Sequence, residues 1–429
     1  MLNGSLSNLR TFGGRALLFL CVLFIVELFI FGSGQWSEAV FGLNIRKSLF
    51  IAIVVISILI NVNHTKPTAE TVYCIAGTAV LVLIWVLLLP GFNLQRIDYP
   101  IRDALPLAGI LCIIPLRSLF TREIWSRGRL IFGTSILVTA LLQIIYYTVG
   151  LVSPELEIFL VEIHRVLLDP LNLDPENAVF ASTVDEVMRV NWPGTSMLLV
   201  GFYIFCTASE LSRPLKILGV LTMLLALYAA QTRALQISAI LVVLVHLLAK
   251  NFAPSRIRPF HIYSVLAFCA LITIPIVLAL DPHLLESVGL SRGGSDEERY
   301  DQISPLLEAW LQHPFVGQGF GASAYLTRSD EAPFAYEVFV LALLMKVGIF
   351  GIALMLLILG NLVSSATRAH ERIDANRSSW LLGLVVALAF STNTNPYLTS
   401  LLGTATVAFV LLELQFWIPR SFSSDNKKS

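Results

Sequence analysis

Two arginines and one glutamate are the residues of this sequence best suited to chemistry. They are Arg233, Arg299 and Glu337, in that order along the chain. A guanidinium group presents paired N–H donors that match the oxygen atoms of a phosphate group. A carboxylate can take the proton of an attacking hydroxyl group. Together these residue types would suit the binding of a phosphate group.

Each of the three residues also has an ordinary structural explanation. Arg233 lies between two apolar runs, in Gln231-Thr232-Arg233-Ala234, where an arginine can extend its side chain to the membrane interface. Arg299 can be a solvated charge at the start of a loop helix. Glu337 can be an acidic residue at a helix N-terminus, which the helix dipole favours. The residues taken singly leave both explanations open.

The composition is that of an integral membrane protein. Of 429 residues, 56% are hydrophobic and only 14% are charged, which is too little polar surface for a soluble domain. The net charge is zero, so no general attraction to nucleic acid is expected. The five cysteines are scattered through apolar runs without a CxxC pair, which predicts small buried hydrophobic residues.

The apolar runs predict an all-α fold, a polytopic membrane bundle of about twelve transmembrane helices. The first run lacks a convincing cleavage site and is predicted to be a retained span. Residues 1–429 are expected to form a single membrane domain. The predicted spans cover residues 16–31, 46–63, 72–90, 104–118, 130–151, 195–209, 215–230, 234–250, 261–280, 334–364, 380–394 and 398–418.

The distribution of positive charge predicts the orientation in the membrane. With a cytoplasmic N-terminus, most lysines and arginines fall in cytoplasmic loops, including the arginine cluster between residues 117 and 129. Both termini are then expected in the cytoplasm. The two longest loops, residues 152–194 and 281–333, would face the non-cytoplasmic side. Long loops commonly carry function, so the second is predicted to be a catalytic loop.

Both long loops contain helix signals. Ser153-Pro154-Glu155 and the apolar residues that follow, as far as Leu167, predict an amphipathic helix at the outer interface. In the second loop, the capping box Ser295-Asp296-Glu297-Glu298 predicts a helix that runs to about His313. Pro314 should end this helix, and residues 317–321 should form a tight turn that exposes its backbone. The predicted apolar face of the helix consists of Ile303, Leu306, Leu307, Trp310 and Leu311.

Short motifs follow one another in a fixed order along residues 228–400. They are Gln231-Thr232-Arg233, then Arg299, Trp310, His313-Pro314 and a Gly-x-Gly-x-Gly segment, then Glu337, Lys346-Val347-Gly348-Ile349-Phe350-Gly351 and Asn393-Thr394-Asn395-Pro396-Tyr397-Leu398. This order, with its membrane topology, resembles the O-antigen ligase and O-antigen or exopolysaccharide polymerase superfamily. The topology is similar over the whole chain.

The resemblance implies a glycosyltransferase of the bacterial inner membrane that uses an undecaprenyl-diphosphate-linked glycan as donor. Arg233 and Arg299 match the arginines of the family and would bind the diphosphate as it leaves. Glu337 would activate the acceptor hydroxyl. The outer loops contain no DxD motif, so a metal-independent enzyme without cofactor is expected. Expected partners are the carrier-linked glycan, membrane lipid and polysaccharide-assembly proteins, but no nucleic acid.

Residues 334–337 depart from the ligase pattern, in which a histidine begins the span after the loop. The sequence here is Phe334-Ala335-Tyr336-Glu337, which favours a polymerase that joins carrier-linked repeat units. One alternative is an O-antigen ligase that transfers glycan to lipid A core or another acceptor. Another is a polysaccharide or small-molecule transporter. Twelve spans suit a transporter, but the two halves show no repeat and the candidate polar residues gather at the outer surface.

Further substrate contacts are expected in the outer loops. Phe320 and Tyr325 could present apolar faces to sugar or prenyl chain, although packing is the commoner role of such residues. Lys346 is predicted to be structural and paired with a carboxylate. Arg165, Arg189 and Arg328 could contact a second diphosphate. The outer histidines His164 and His313 merit testing. Beside Arg233 and Arg299, the predicted substrate-binding set comprises Arg189, Trp310, Gly319, Arg328 and Tyr336.

Overall fold

The computed structural model of this chain is predominantly helical. It describes residues 16–17, 19–27, 45–62, 69–93, 96–111, 122–153, 155–156, 159, 180–184, 187–191, 194–252, 293–327, 332–367, 375–392 and 401–416. The chain forms two compact units. Unit 1 comprises Met1–Thr65 and Ile114–Leu244, and unit 2 comprises Lys66–Ile113 and Val245–Ser429.

The helices have the following bounds in chain order. They are α1 (Ile45–Val62), α2 (Ala69–Leu81), α3 (Leu89–Phe92), α4 (Asp98–Leu111), α5 (Arg122–Val152), α6 (Leu198–Thr207), α7 (Arg213–Ala229), α8 (Arg233–Phe252), α9 (Gly293–Gln312), α10 (Phe339–Thr367), α11 (Ala375–Thr392) and α12 (Leu401–Phe416). A π-helical stretch, Val82–Leu88, joins α2 to α3, and a 3-10 turn, Thr195–Met197, precedes α6.

Among the described residues, four helical segments are long and apolar enough to cross a membrane. They are Ile75–Phe92, Ile124–Val152, Arg233–Lys250 and Phe339–Ile358. Two shorter apolar helices lie at Thr195–Thr207 and Ala405–Phe416. The chain is thus a helical membrane protein, as its composition indicated. The number of about twelve spans stays a prediction, and the predicted span 261–280 lies outside the described residues.

Unit 1 is built on the packing of α5 against α6 and α7. Its interior is close-packed because Gly201 lets α6 approach Ile136 and Met223; a Cβ atom at this position would lie 2.7 Å from atoms of each. The outward side of α7 carries exposed leucines, including Leu218 and Leu221. Such a surface is costly in water and suits contact with lipid.

A β-hairpin in unit 1 was not expected from the sequence. Strands β1 (Phe180–Val184) and β2 (Val187–Asn191) pair antiparallel, with Phe180 opposite Asn191. The side-chain amide of Gln143 in α5 donates to the carbonyl oxygen of Val190 at 2.6 Å, which ties the hairpin to the membrane helix. The all-α prediction is confirmed for the described part of the chain, with this hairpin as a local exception. Most of the amphipathic helix predicted within residues 152–194 lies outside the described residues.

In unit 2, α10 packs against α2, α9 and α12. One apolar cluster joins α9 to the start of α10 and contains Leu306, Leu341 and Met345. A second cluster joins the π-helical stretch to α10 and includes Trp85 and Phe320. The chain between α9 and α10 is therefore held from two sides, and this arrangement positions the polar residues described below.

Several helices begin at positions that differ from the prediction, and polar residues explain two of the differences. Helix α5 begins at Arg122 instead of residue 130, since Arg129 is buried, bonds to Thr207 and lies 3.9 Å from Glu210. Helix α4 begins at Asp98 instead of residue 104, and α10 begins at Phe339 instead of residue 334. Hydropathy counts the polar first turns of α4 and α5 as loop, although both are helical in the folded protein.

The predicted loop helix is confirmed as α9, Gly293–Gln312. Of its predicted apolar face, Leu306 is fully buried, and Ile303, Leu307 and Trp310 pack against the same cluster. Leu311 is the exception, because it is 59% exposed.

Candidate active site

An ion pair between α9 and the segment before α10 forms the centre of the candidate site. The Nε of Arg299 donates to Oε2 of Glu337 at 2.7 Å. The Arg299 side chain is 28% exposed and that of Glu337 is 10% exposed, so the pair is sheltered but reachable from one side. The structure thus brings together two of the three residues that the sequence singled out for chemistry.

Helix α9 holds Glu337 through a second residue on the same face. The backbone N–H of Glu337 donates to Oε1 of Gln302 at 3.0 Å, and Gln302 is buried. Because residues three apart are neighbours on a helix surface, Arg299 and Gln302 contact Glu337 side by side. The carboxylate is therefore fixed at both its side chain and its backbone.

The segment before α10 is also anchored at Phe334 and Tyr336, which precede Glu337. The ammonium group of Lys346 donates to the carbonyl oxygen of Phe334 at 2.8 Å. The hydroxyl group of Tyr336 accepts from the backbone N–H of Ala324 at 2.7 Å. Burial raises the pKa of Tyr336 above its ordinary value, the Ala324 N–H opposes this, and the charge of Asp103 adds to it. The phenol therefore stays neutral at physiological pH.

Lys346 also forms a buried ion pair with Asp103 in α4. The nitrogen lies 2.8 Å from the carboxylate, and the two side chains are 8% and 7% exposed. The same carboxylate accepts from the backbone N–H of Gly321 at 2.9 Å. The prediction that Lys346 pairs with a carboxylate is confirmed. Asp103 was missed, because it lies 243 residues from its partner and nothing in the sequence pattern links them.

The glycine-rich turn after α9 is confirmed in conformation. Gly317, Gly319 and Gly321 have φ angles of 72°, 94° and 78°, a region in which only glycine is comfortable. The expectation that this turn exposes its backbone was wrong, since all three glycines are buried. A Cβ at Gly317 would lie 2.5 Å from the backbone of Lys346, and one at Gly319 would lie 2.7 Å from Pro90.

The turn pairs through its backbone with a break in α10. Gly348 has a φ of 62° and a ψ of −174°, so the helix is interrupted there. The N–H of Gly319 donates to the carbonyl oxygen of Lys346 at 2.8 Å, and the N–H of Ile349 donates to that of Pro314 at 3.1 Å. The glycine-rich turn therefore satisfies backbone groups that the interrupted helix leaves unpaired.

Of the remaining predicted substrate contacts, Trp310 and Phe320 have structural partners in the described part of the chain. The indole N–H of Trp310 donates to the carbonyl oxygen of Pro314 at 3.2 Å. Phe320 is buried in the second apolar cluster, whereas Tyr325 is 75% exposed. Arg189 lies in β2 opposite Ser182, and its side chain is outside the described residues. Also outside the described residues are His164, Arg165 and Arg328.

Arg233 is the first residue of α8 and belongs to unit 1. It follows Gln231, which has a φ of 48°, an unusual value for a residue other than glycine. The hydroxyl group of Thr232 donates to the carbonyl oxygen of Ala230 at 3.2 Å. This tight turn fixes where α8 begins. A common site for Arg233 with Arg299 and Glu337 stays a prediction.

Within the described part of the chain, no three His, Cys, Asp or Glu side chains are grouped so that they could hold a metal ion. The polar groups of the candidate site are instead one guanidinium, one carboxylate and one buried amide. Chemically, this set can bind an anion through Arg299 and can accept a proton at Glu337.

Comparison with known proteins agrees with these features. Residues 218–356 match a family model described as O-antigen ligase. The match covers most of α7, all of α8 and α9, the glycine-rich turn and the first part of α10. No curated protein matches the chain significantly. The family match confirms the resemblance to the O-antigen ligase and polymerase superfamily, whose members act on lipid-linked glycans.

Proposed function

We propose that this protein transfers a glycan from an undecaprenyl-diphosphate carrier to an acceptor hydroxyl group. The proposal is consistent with the match of residues 218–356 to the O-antigen ligase family model. In its finer form the proposal is a polymerase, which joins carrier-linked repeat units at the periplasmic face of the inner membrane. The observation that supports it is the 2.7 Å ion pair of Arg299 and Glu337, partly exposed and within the matched range.

Each residue has a defined role in the proposed reaction. The acceptor oxygen forms a bond to the anomeric carbon of the donor sugar, and the bond from that carbon to the diphosphate oxygen breaks. The electron pair leaves with the diphosphate, where Arg299 stabilises the developing charge. Glu337 takes the proton of the acceptor hydroxyl group. Arg233 is assigned as a second diphosphate ligand from the family resemblance.

The ion pair suggests how donor binding activates the base. While Arg299 donates to Oε2 of Glu337, that oxygen is occupied and does not contact an acceptor hydroxyl group. A diphosphate that draws Arg299 toward itself would loosen the bond to Glu337. The base would then become available when the donor is in place. Gln302 would keep the backbone of Glu337 fixed during this exchange.

The proposal is tested with purified protein in detergent and an undecaprenyl-diphosphate-linked oligosaccharide. Arg299→Ala should lower the release of undecaprenyl diphosphate by at least about 100-fold, as expected for removal of one preorganised donor to the leaving group. The matched control is Arg213→Ala, at the exposed start of α7, which should keep the wild-type rate. A wild-type rate in Arg299→Ala would contradict the proposal.

A ligase is the second candidate, because the matching family is described as O-antigen ligase. A deletion strain distinguishes the two reactions. Acceptors that carry single repeat units would indicate a lost polymerase. Long carrier-linked chains that never reach the acceptor would indicate a lost ligase. Conversion of substrate in detergent, without a sealed compartment, would exclude a transporter.

A further inference from the structure

Unit 2 contains a cavity of about 360 Å3 beside the glycine-rich turn. Its volume lies near the lower end of the roughly 300–1,000 Å3 typical of small-molecule sites. One side is formed by the residues that follow α3, and the other by the turn that follows α9. The side chains that matter are Asn93, Arg96, Tyr99, His313, Gln318 and Ser323.

The cavity wall consists mainly of uncharged hydrogen-bonding groups. Amide, imidazole and hydroxyl side chains can each donate and accept, as sugar hydroxyl groups do. Two of the amides are held in place. The side-chain amide nitrogen of Asn93 donates to the carbonyl oxygen of Gln318 at 2.8 Å. The side-chain amide nitrogen of Gln318 donates to the carbonyl oxygen of Ala309 at 2.9 Å. Fixed amides favour a hydroxyl-rich ligand, because their orientation needs no reordering on binding.

The positive charge of Arg96 in the cavity wall is balanced by a neighbouring carboxylate. Its Nε and Nη2 both donate to the carboxylate of Asp98 at 3.2 Å. Its guanidinium group lies 5.0 Å from the centre of the Tyr99 ring. Among the described residues that line the cavity, no other arginine or lysine is present. A diphosphate would need more positive charge than this lining offers, whereas an uncharged sugar would not.

The cavity borders the segment that carries the proposed base. The ring of Tyr99 lies 5.6 Å from that of Phe334, three residues before Glu337. Gly321, also in the lining, donates to Asp103, and Asp103 pairs with the lysine that holds the Phe334 carbonyl group. One set of contacts therefore supports both the cavity wall and the base.

We propose that this cavity is a subsite for one or two uncharged sugar residues of the carrier-linked glycan. The inference rests on the proposed function and adds the place where the carbohydrate part is bound. Diphosphate recognition at Arg299 and sugar recognition in the cavity are then separate tasks of unit 2. The two can be removed independently by substitution.

The test fills the cavity and measures binding without turnover. Ser323→Trp introduces a bulky ring into the lining, and Ser304→Trp, on the exposed side of α9, is the matched control. The probe is the oligosaccharide freed by mild acid from the lipid-linked glycans of the producing cells, which has neither lipid nor diphosphate. Binding to purified full-length protein in detergent is measured by equilibrium dialysis of the radiolabelled probe, and a melting curve verifies that each variant is folded.

Saturable binding to wild-type protein and to Ser304→Trp is expected, with at least about tenfold weaker binding to folded Ser323→Trp. Equal affinity in Ser323→Trp, no saturable binding to wild type, or displacement of the probe by inorganic pyrophosphate would each overturn the subsite. If Ser323→Trp does not fold, Gln312→Ala, which removes one exposed lining side chain, takes its place with the same expected loss.

The outcome is distinguishable from a failure of the proposed function. Arg299→Ala should bind the free oligosaccharide normally while it loses turnover. Oligosaccharide binding that depends on Ser323, in a wild-type protein that never releases undecaprenyl diphosphate, would support the subsite and refute the transferase. Turnover with a KM unchanged in Ser323→Trp would refute the subsite and leave the transferase intact.

Discussion

The buried pair of Lys346 and Asp103 shows how much depends on single residues here. Removal of one partner of a buried pair leaves the other charge uncompensated, which typically costs about 3–5 kcal/mol. We expect Asp103→Asn to lower the melting temperature of the purified protein strongly. The control is Asp98→Asn, which breaks the exposed pair with Arg96 and should cost less than about 1 kcal/mol. Equal melting temperatures for the two variants would contradict the structural role of Asp103.

Glu337 offers a second test at the level of one side chain. Glu337→Gln keeps the shape but cannot take a proton, so the rate should fall by about 100-fold or more. Glu337→His should recover part of this loss, because an imidazole can also accept a proton. The ligase pattern described above has a histidine at the start of this span. The measurement is release of undecaprenyl diphosphate. A glutamine variant as active as wild type would exclude Glu337 as the base.

At the scale of elements, the glycine-rich turn is predicted to be essential for stability. Gly317→Ala would place a methyl group 2.5 Å from the backbone of Lys346, at a φ of 72° that alanine avoids. We expect a loss above roughly 1 kcal/mol, seen as a lower melting temperature. The control is Gly360→Ala in α10, which meets nothing within 4 Å and should be neutral or slightly stabilising. If both variants melt alike, the turn does not need its glycines.

Local signals in the sequence predicted the elements whose causes are local. The capping box and Pro314 located α9 to within a residue or two, and the glycine spacing predicted the turn. The same reasoning missed the partner of Lys346 and the hairpin of residues 180–191. Each depends on contacts between distant segments, as in the bond from Gln143 to Val190. Ordered motifs could select Arg299 and Glu337, but only coordinates could show that they form an ion pair.

At the scale of the whole molecule, the sidedness of the loops is open to direct measurement. In a variant with all five cysteines replaced, Tyr325→Cys should react with a membrane-impermeant maleimide in cells whose outer membrane alone is permeabilised. Arg213→Cys, at the start of α7, should react only after the inner membrane is opened. Both positions are exposed, so burial does not limit the labelling. The reverse pattern would contradict the orientation that the positive charges predict.

The ion pair that joins α4 to α10 has a consequence for biogenesis. The ribosome completes Asp103 well before Lys346, 243 residues later, and the membrane offers no other strong partner for a carboxylate. The nascent α4 must therefore keep its N-terminal end in contact with water until α10 has been inserted. Only then can the glycine-rich turn dock between them. Assembly of unit 2 is thus a late event, and a chain truncated before α10 should be a substrate for membrane proteases.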